Sequence, residues 1–149
     1  MNWEYLAGFF DGEGNLNIGF IKNLAYQLRV RIYSTNKDVL EKINEFLGNK
    51  GHIYIKNASK NNPNRNLLYE LAILKKEDCL FFLTNIYPFS IIKKEQIGYL
   101  LKNFDFLRGN KSGGHNNINF DIDKFRSFNT RKNTGNFIKT HTISRSTNN

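Results

Sequence analysis

Residues 6–20, LAGFFDGEGNLNIGF, carry two carboxylates, Asp11 and Glu13, among Gly8, Gly12 and Gly14. The spacing of apolar residues changes here from a helical period to a strand period. In a strongly basic chain, an acid at such a junction calls for a cation beside it. Mg²⁺ fits that role, because it takes carboxylate, carbonyl, water and phosphate oxygens. Such an ion can activate water and stabilise the leaving oxygen of an in-line phosphoryl displacement. Glu13, just beyond the helical pattern and just before the strands, is the residue expected to do this work. Asp11, two residues earlier, points elsewhere along the helix and is expected to be structural or accessory.

The rest of the composition favours a phosphate partner. Lys plus Arg number 22 against 13 Asp plus Glu, a net charge of +9 over 149 residues. That excess suits a polyanion, nucleic acid before an anionic membrane. No apolar run approaches the roughly 18 residues of a membrane span, and MNWEYLAGFF lacks a basic leader region with a cleavage site. No membrane partner and no small-molecule cofactor is expected. The single cysteine, Cys79, excludes an internal disulfide and reads as a small buried hydrophobe. Abundant Asn, Lys and Ile point to an AT-rich genome, and so to an intracellular setting in an organelle or a microbial cytoplasm.

Elements that would position Glu13 follow from periodicity. Trp3, Leu6, Ala7 and Phe10 form one helical face; Tyr5, Gly8, Phe9 and Gly12 form a second. A helix apolar on both sides must be covered on both sides. The small-residue face lacks a match elsewhere in the chain, so a second copy, hence a twofold dimer, is expected to cover it. From Asn15 the period is two: Leu16, Ile18 and Phe20, then, after a break near Asn23, Leu28, Val30 and Ile32. TNKDVLEKINEFLG reads as a helix with Thr35 and Asp38 in a capping box and Gly48 as its stop. GHIYIKN is a third strand with Ile53 and Ile55 inward, and LLYELAIL a fourth with Leu67, Tyr69, Leu71 and Ile73 on one side. Helices are expected at about residues 77–86 and 94–107, with another in FDIDKFRSF. The fold class is α+β, in the order αββαββα with extra C-terminal helices. One domain is expected over 1–135, with a flexible tail at 136–149.

Helices cover one face of such a sheet. The other carries Asn15, Asn17, Gln27, Arg29, Arg31, Tyr33, His52, Tyr54 and Lys56. Arg pairs with guanine, Asn and Gln with adenine, and a β-ribbon fits the major groove. A strand of about nine residues spans about 30 Å, close to one duplex turn. A dimer would therefore cover on the order of 20 base pairs of double-stranded DNA.

LAGFFDGEG resembles the signature of the LAGLIDADG homing endonucleases, with Asp11 and Glu13 at its two acids and Gly8 and Gly14 at its glycines. One copy of the motif is similar to the single-motif, homodimeric subgroup. The resemblance implies an antiparallel four-stranded DNA-binding sheet and a site-specific endonuclease. It would cut a pseudo-palindromic target in a metal-dependent, staggered double-strand break with 3′ overhangs, promoting intron mobility. Mg²⁺ is the implied metal, with Mn²⁺ a substitute. It further implies metal binding by Glu13 and the Gly14 carbonyl, catalytic roles for Glu13, Asn36 and Lys93 (Lys94 the adjacent rival), and phosphate contacts from Asn129, Thr130, Arg131 and Lys132. The alternative is a non-cleaving nucleic-acid-binding protein on the same scaffold, an RNA maturase or DNA-binding regulator. GHIYIKN and HNN (115–117) faintly resemble GIY-YIG and HNH nucleases, but lack the segments those require.

Overall fold

The computed structural model describes residues 1–21, 25–56, 67–107 and 120–128. The break near Asn23, the polar stretch 57–66, the loop with His115 and the segment from 129 onward, with Asn129, Thr130, Arg131 and Lys132, lie outside them.

The order is α1 (Trp3–Glu13), β1 (Gly14–Ile21), β2 (Ala25–Ser34), α2 (Lys37–Phe46), β3 (His52–Lys56), β4 (Leu68–Ile73), α3 (Lys76–Ile86), α4 (Lys94–Lys102), a 3-10 turn Phe104–Leu107 and α5 (Ile122–Ser127). The four strands form an antiparallel sheet ordered β1-β2-β4-β3. This is the expected α+β architecture. Inward strand residues Leu16, Ile18, Leu28, Val30, Ile32, Leu71 and Ile73 meet helix residues Leu6, Ala7, Phe10, Leu40, Ile43, Phe82, Leu83, Ile86 and Ile97 in one buried core. Cys79 is inside it, with no exposed surface. Burial pushes its thiol up to about 12.

Local chemistry sets the element ends. Asn2 caps α1 by accepting the Tyr5 N–H at 2.9 Å. α2 ends in a Schellman turn: Gly48, at φ +70, donates to Glu45 O at 2.9 Å, and Asn49 donates to Asn44 O at 2.7 Å.

Three expectations are corrected or narrowed. The cap of α2 is Asn36 rather than a Thr35/Asp38 box: Asn36 Oδ1 accepts the N–H groups of Asp38 (3.0 Å) and Val39 (3.4 Å). Ile55 shares the inward side with Ile53, opposite Tyr69, but is left uncovered at 60% exposure near the open end of an edge strand. The helix expected over 94–107 stops at Lys102. There the Asn103 N–H is shared between Tyr99 O (3.3 Å) and Leu100 O (3.2 Å), while its side-chain amide takes Tyr99 O at 2.8 Å. A side chain competing for the helix's own carbonyl tightens the last turn to 3-10.

Candidate active site and nucleic-acid interface

α1 delivers Glu13 to the rim of the sheet. The helix must pass into β1 within one residue, and Gly14 permits it: its N–H bonds Phe10 O, and a Cβ there would collide with the Phe10 ring and carbonyl. Gly14 then opens β1 opposite Ile32. Glu13 itself is exposed.

Asp11 is buried, and its carboxylate is filled by one loop. Ser90 Oγ and the Lys93 N–H donate to Oδ1 at 2.6 and 3.1 Å. The N–H groups of Ile91 and Ile92 donate to Oδ2 at 2.6 and 3.0 Å. Burial alone would raise the Asp11 pKa, but the Ser90 hydroxyl and the three backbone N–H groups outweigh it and hold the acid below its ordinary value. Asp11 thus ties the 90–93 loop to α1, the structural role expected of it. Nothing in the residue spacing points to its partners, which lie some eighty positions away.

The same loop brings Lys93 to the end of α1. Its Nζ donates to the Asp11 carbonyl oxygen at 2.5 Å and stands 5.6 Å from the Phe10 ring centroid. Burial lowers the Lys93 pKa, and the negative charges of Asp11 and Glu13 partly restore it. Glu13 and Lys93, eighty residues apart in sequence, thus stand at the same end of α1. Lys94 turns away, with Nζ 3.5 Å from Pro88 O and 5.6 Å from the Tyr87 ring centroid. Asn36 follows the end of β2, with its side-chain oxygen committed to the α2 cap; its amide NH₂ is the part left to face a substrate.

Among the described residues no cluster of three or more His, Cys, Asp or Glu is placed to hold a metal ion. One exposed carboxylate at a helix C-terminus does not make a closed zinc-type site. It does fit Mg²⁺, which keeps several waters and binds through one or two carboxylates plus substrate phosphate. The negative end of the helix dipole adds to that attraction.

The outward sheet face is continuous. Asn15, Arg31, Ala72 and His52 lie in one cross-strand row, Tyr33, Glu70 and Tyr54 in the next, with Asn17 opposite Arg29 and Gly19 opposite Gln27. All nine residues expected on this face are on it. Asn17, His52, Tyr54 and Lys56 are exposed, and Asn15, Gln27, Arg29, Arg31 and Tyr33 half-buried. β4 adds Leu68, Glu70 and Ala72, which the alternation with Tyr69, Leu71 and Ile73 would have revealed. Glu70 is 5% exposed, 3.4 Å from Arg31 Nε and 3.0 Å from Lys56 Nζ. Neither Arg31 Nε nor Glu70 Oε2 finds a partner in hydrogen-bond geometry, so charge and proximity hold these contacts, not aligned bonds.

The second face of α1 is open. Gly8 and Gly12 have nothing within 4 Å of where a Cβ would stand, and Tyr5 is 51% exposed. Phe9 stacks on Tyr5 at 6.1 Å between centroids and also packs partly against the core. Among the described residues no helix is long and apolar enough to cross a membrane.

Solved structures with this fold include the homing endonuclease I-CvuI in complex with its target in the presence of Ca (16% identity, 84% of this chain and 90% of that chain, TM-score 0.59). The archaeal intron-encoded homing endonuclease I-Vdi141I complexed with DNA is similar at 20% identity over 85% of this chain and 92% of that chain, TM-score 0.53. The LAGLIDADG meganuclease I-AabMI bound to uncleaved DNA is similar at 25% identity and TM-score 0.56; the match takes in 86% of this chain but 43% of that one. No curated protein sequence matches. The model of the LAGLIDADG-like domain matches residues 2–87. With more than half of its length matched, the chain belongs to the LAGLIDADG-like domain family.

Proposed function

We propose that this chain is a site-specific DNA endonuclease. It acts as a homodimer through Tyr5, Gly8, Phe9 and Gly12, on a pseudo-palindromic target of about 20 base pairs. It makes a staggered double-strand break with 3′ overhangs and serves intron mobility within an organelle or microbial cell. Residues 1–135 form the working domain. Asn15, Asn17, Gln27, Arg29, Arg31, Tyr33, His52, Tyr54 and Lys56 contact DNA, joined by Asn129, Arg131 and Lys132.

The observation that carries the catalytic reading is exposed Glu13 at the C-terminal end of α1, where half-buried Lys93 bonds the Asp11 carbonyl oxygen two residues before it, beside a basic sheet face. Pure binding has no use for a carboxylate facing phosphates. Glu13, with the Gly14 carbonyl, would hold Mg²⁺ or Mn²⁺, and the metal would supply an activated water and charge stabilisation at the leaving oxygen. Lys93, its pKa lowered by burial, is placed to exchange a proton or to neutralise developing phosphate charge. Asn36 would orient water through its free amide.

The test is cleavage of a randomised duplex library with Mg²⁺, and binding of the same library with Ca²⁺. Specific scission with Mg²⁺, lost by a factor of at least about 10³ in Glu13→Gln while binding persists, supports the reading; a loss of that size is typical when a main charge-stabilising group is removed. Tight binding without scission under either ion would make this a maturase-like or regulatory member of the fold.

A further inference from the structure

Glu70 is the only carboxylate on the described sheet face, and its side chain is 7% exposed. A buried acid in the middle of a surface meant for a polyanion weakens general attraction. Its neighbours show what it does instead. Arg29 and Arg31, two positions apart on β2, are each approached at Nε. Gln27 Oε1 accepts from Arg29 Nε at 3.1 Å, and Glu70 Oε1 stands 3.4 Å from Arg31 Nε. Gly19 leaves flat room for the first guanidinium: a Cβ there would lie 3.5 Å from Arg29 Cζ and Nη2. With Nε turned to an acceptor, by a hydrogen bond in Arg29 and by charge and proximity in Arg31, an arginine keeps its two Nη groups as a fork, the geometry that pairs with guanine O6 and N7. The partners differ in charge. Gln27 orients Arg29 and leaves its full positive charge. Glu70 orients Arg31 while cancelling charge that Arg31 and Lys56 would otherwise offer to any phosphate.

We infer that Glu70 is a specificity-determining residue, which aims the Nη fork of Arg31 at a guanine and makes that contact depend on the base and not on the backbone. This rests on the sheet face binding DNA. An arginine beside a buried carboxylate gains little from the phosphate field, but it still gains two hydrogen bonds from guanine. Adenine would present its N6 donor to the same fork and leave the desolvated ion pair unrewarded.

The experiment is selection of bound sequences from a randomised duplex library in Ca²⁺, with affinity for a fixed unrelated duplex measured across salt concentrations. Arg31→Lys keeps the charge and removes the fork. It should erase a guanine preference of roughly ten- to hundredfold at one base pair per half-site, without changing the salt slope, and so identifies that pair. Glu70→Gln should weaken the preference at the same pair, raise affinity for the unrelated duplex several-fold, and steepen the salt slope by about one unit. The base pair read by Arg29 should be unaffected.

If Glu70→Gln changes neither base preference nor salt slope, the acid merely fills space and the inference fails. Should Glu70→Gln not fold, Arg31→Lys decides alone, and an unchanged profile in that variant overturns the assignment. Wild-type protein that binds no duplex refutes the underlying reading as well, whereas normal wild-type binding with silent variants refutes only this inference.

Discussion

Replacing Asp11 with Asn keeps size and shape and removes one charge. The wild-type carboxylate accepts four hydrogen bonds, from Ser90 Oγ and the N–H groups of Ile91, Ile92 and Lys93, at 2.6 to 3.1 Å. An amide retains one oxygen, able to accept two of the four, and turns its NH₂ toward the remaining donors. Two donors are left without partners. At about 1–3 kcal/mol for each buried unsatisfied donor, and with water able to reach the exposed side of the loop, the cost is about 2–4 kcal/mol. A typical total stability is about 5–15 kcal/mol, so the variant should fold and its loss should be measurable.

Urea unfolding followed by the fluorescence of Trp3, the only tryptophan, reads the change directly. Its ring meets those of Phe46 and Phe81 edge-on at 5.0 and 5.6 Å. Because a dimer's stability depends on concentration, wild type and variant are compared at one concentration. The Asp11 pKa is lowered in the fold. Its contribution is therefore fully present above the unfolded value of 3.8 and disappears as pH falls through the folded one. The gap between wild type and Asp11→Asn should accordingly close in acid. DNA cleavage should fall by about a hundredfold, the penalty for a misplaced reacting group, since the freed loop no longer fixes Lys93. A variant within about 0.5 kcal/mol of wild type at neutral pH, the range of an ordinary surface change, would refute the argument.

Gly14→Ala should cost about 1–3 kcal/mol in the same unfolding assay, because its methyl group meets the fully buried Phe10 ring and a backbone carbonyl; a neutral result would mean that the α1–β1 junction relaxes. Gly8→Leu should leave the monomer folded, having open space around it, and abolish the dimer in sedimentation; a persistent dimer would move the seam off this helix face. Cys79, with its thiol pushed up to about 12 by burial, should resist thiol reagents from pH 7 to 9 and react only at the rate of unfolding. Labelling within seconds in the folded state would contradict its placement in the core.

What the sequence disclosed and what it hid divide along a physical line. Periodicity is local, so the switch at Gly14, the inward Leu16, Ile18, Val30 and Ile32, and the polar face from Asn15 to Lys56 could all be read from spacing. Hydrogen bonds that close over long chain separations leave no such trace, and the union of Asp11 with Ser90–Lys93 is of that kind. So is the pairing of Glu70 with Arg31 and Lys56. Asn36 shows a third case: its position was legible, but which of its functions takes the oxygen depended on whether the helix began at Lys37. The spacing of the two motif acids now has a mechanical reason. Residues two apart on a helix diverge by about 200°, so one acid can face the interior while the other faces out. Asp11 looks inward and fixes the loop; Glu13 looks outward to solvent; and the fixed loop returns Lys93 Nζ to the Asp11 carbonyl oxygen, at the same end of α1. A one-residue or three-residue spacing would put both acids nearer one face and cost either the loop or the site. On the proposed function, the outward acid is placed by the chemistry, and the inward one by the need to hold that chemistry still.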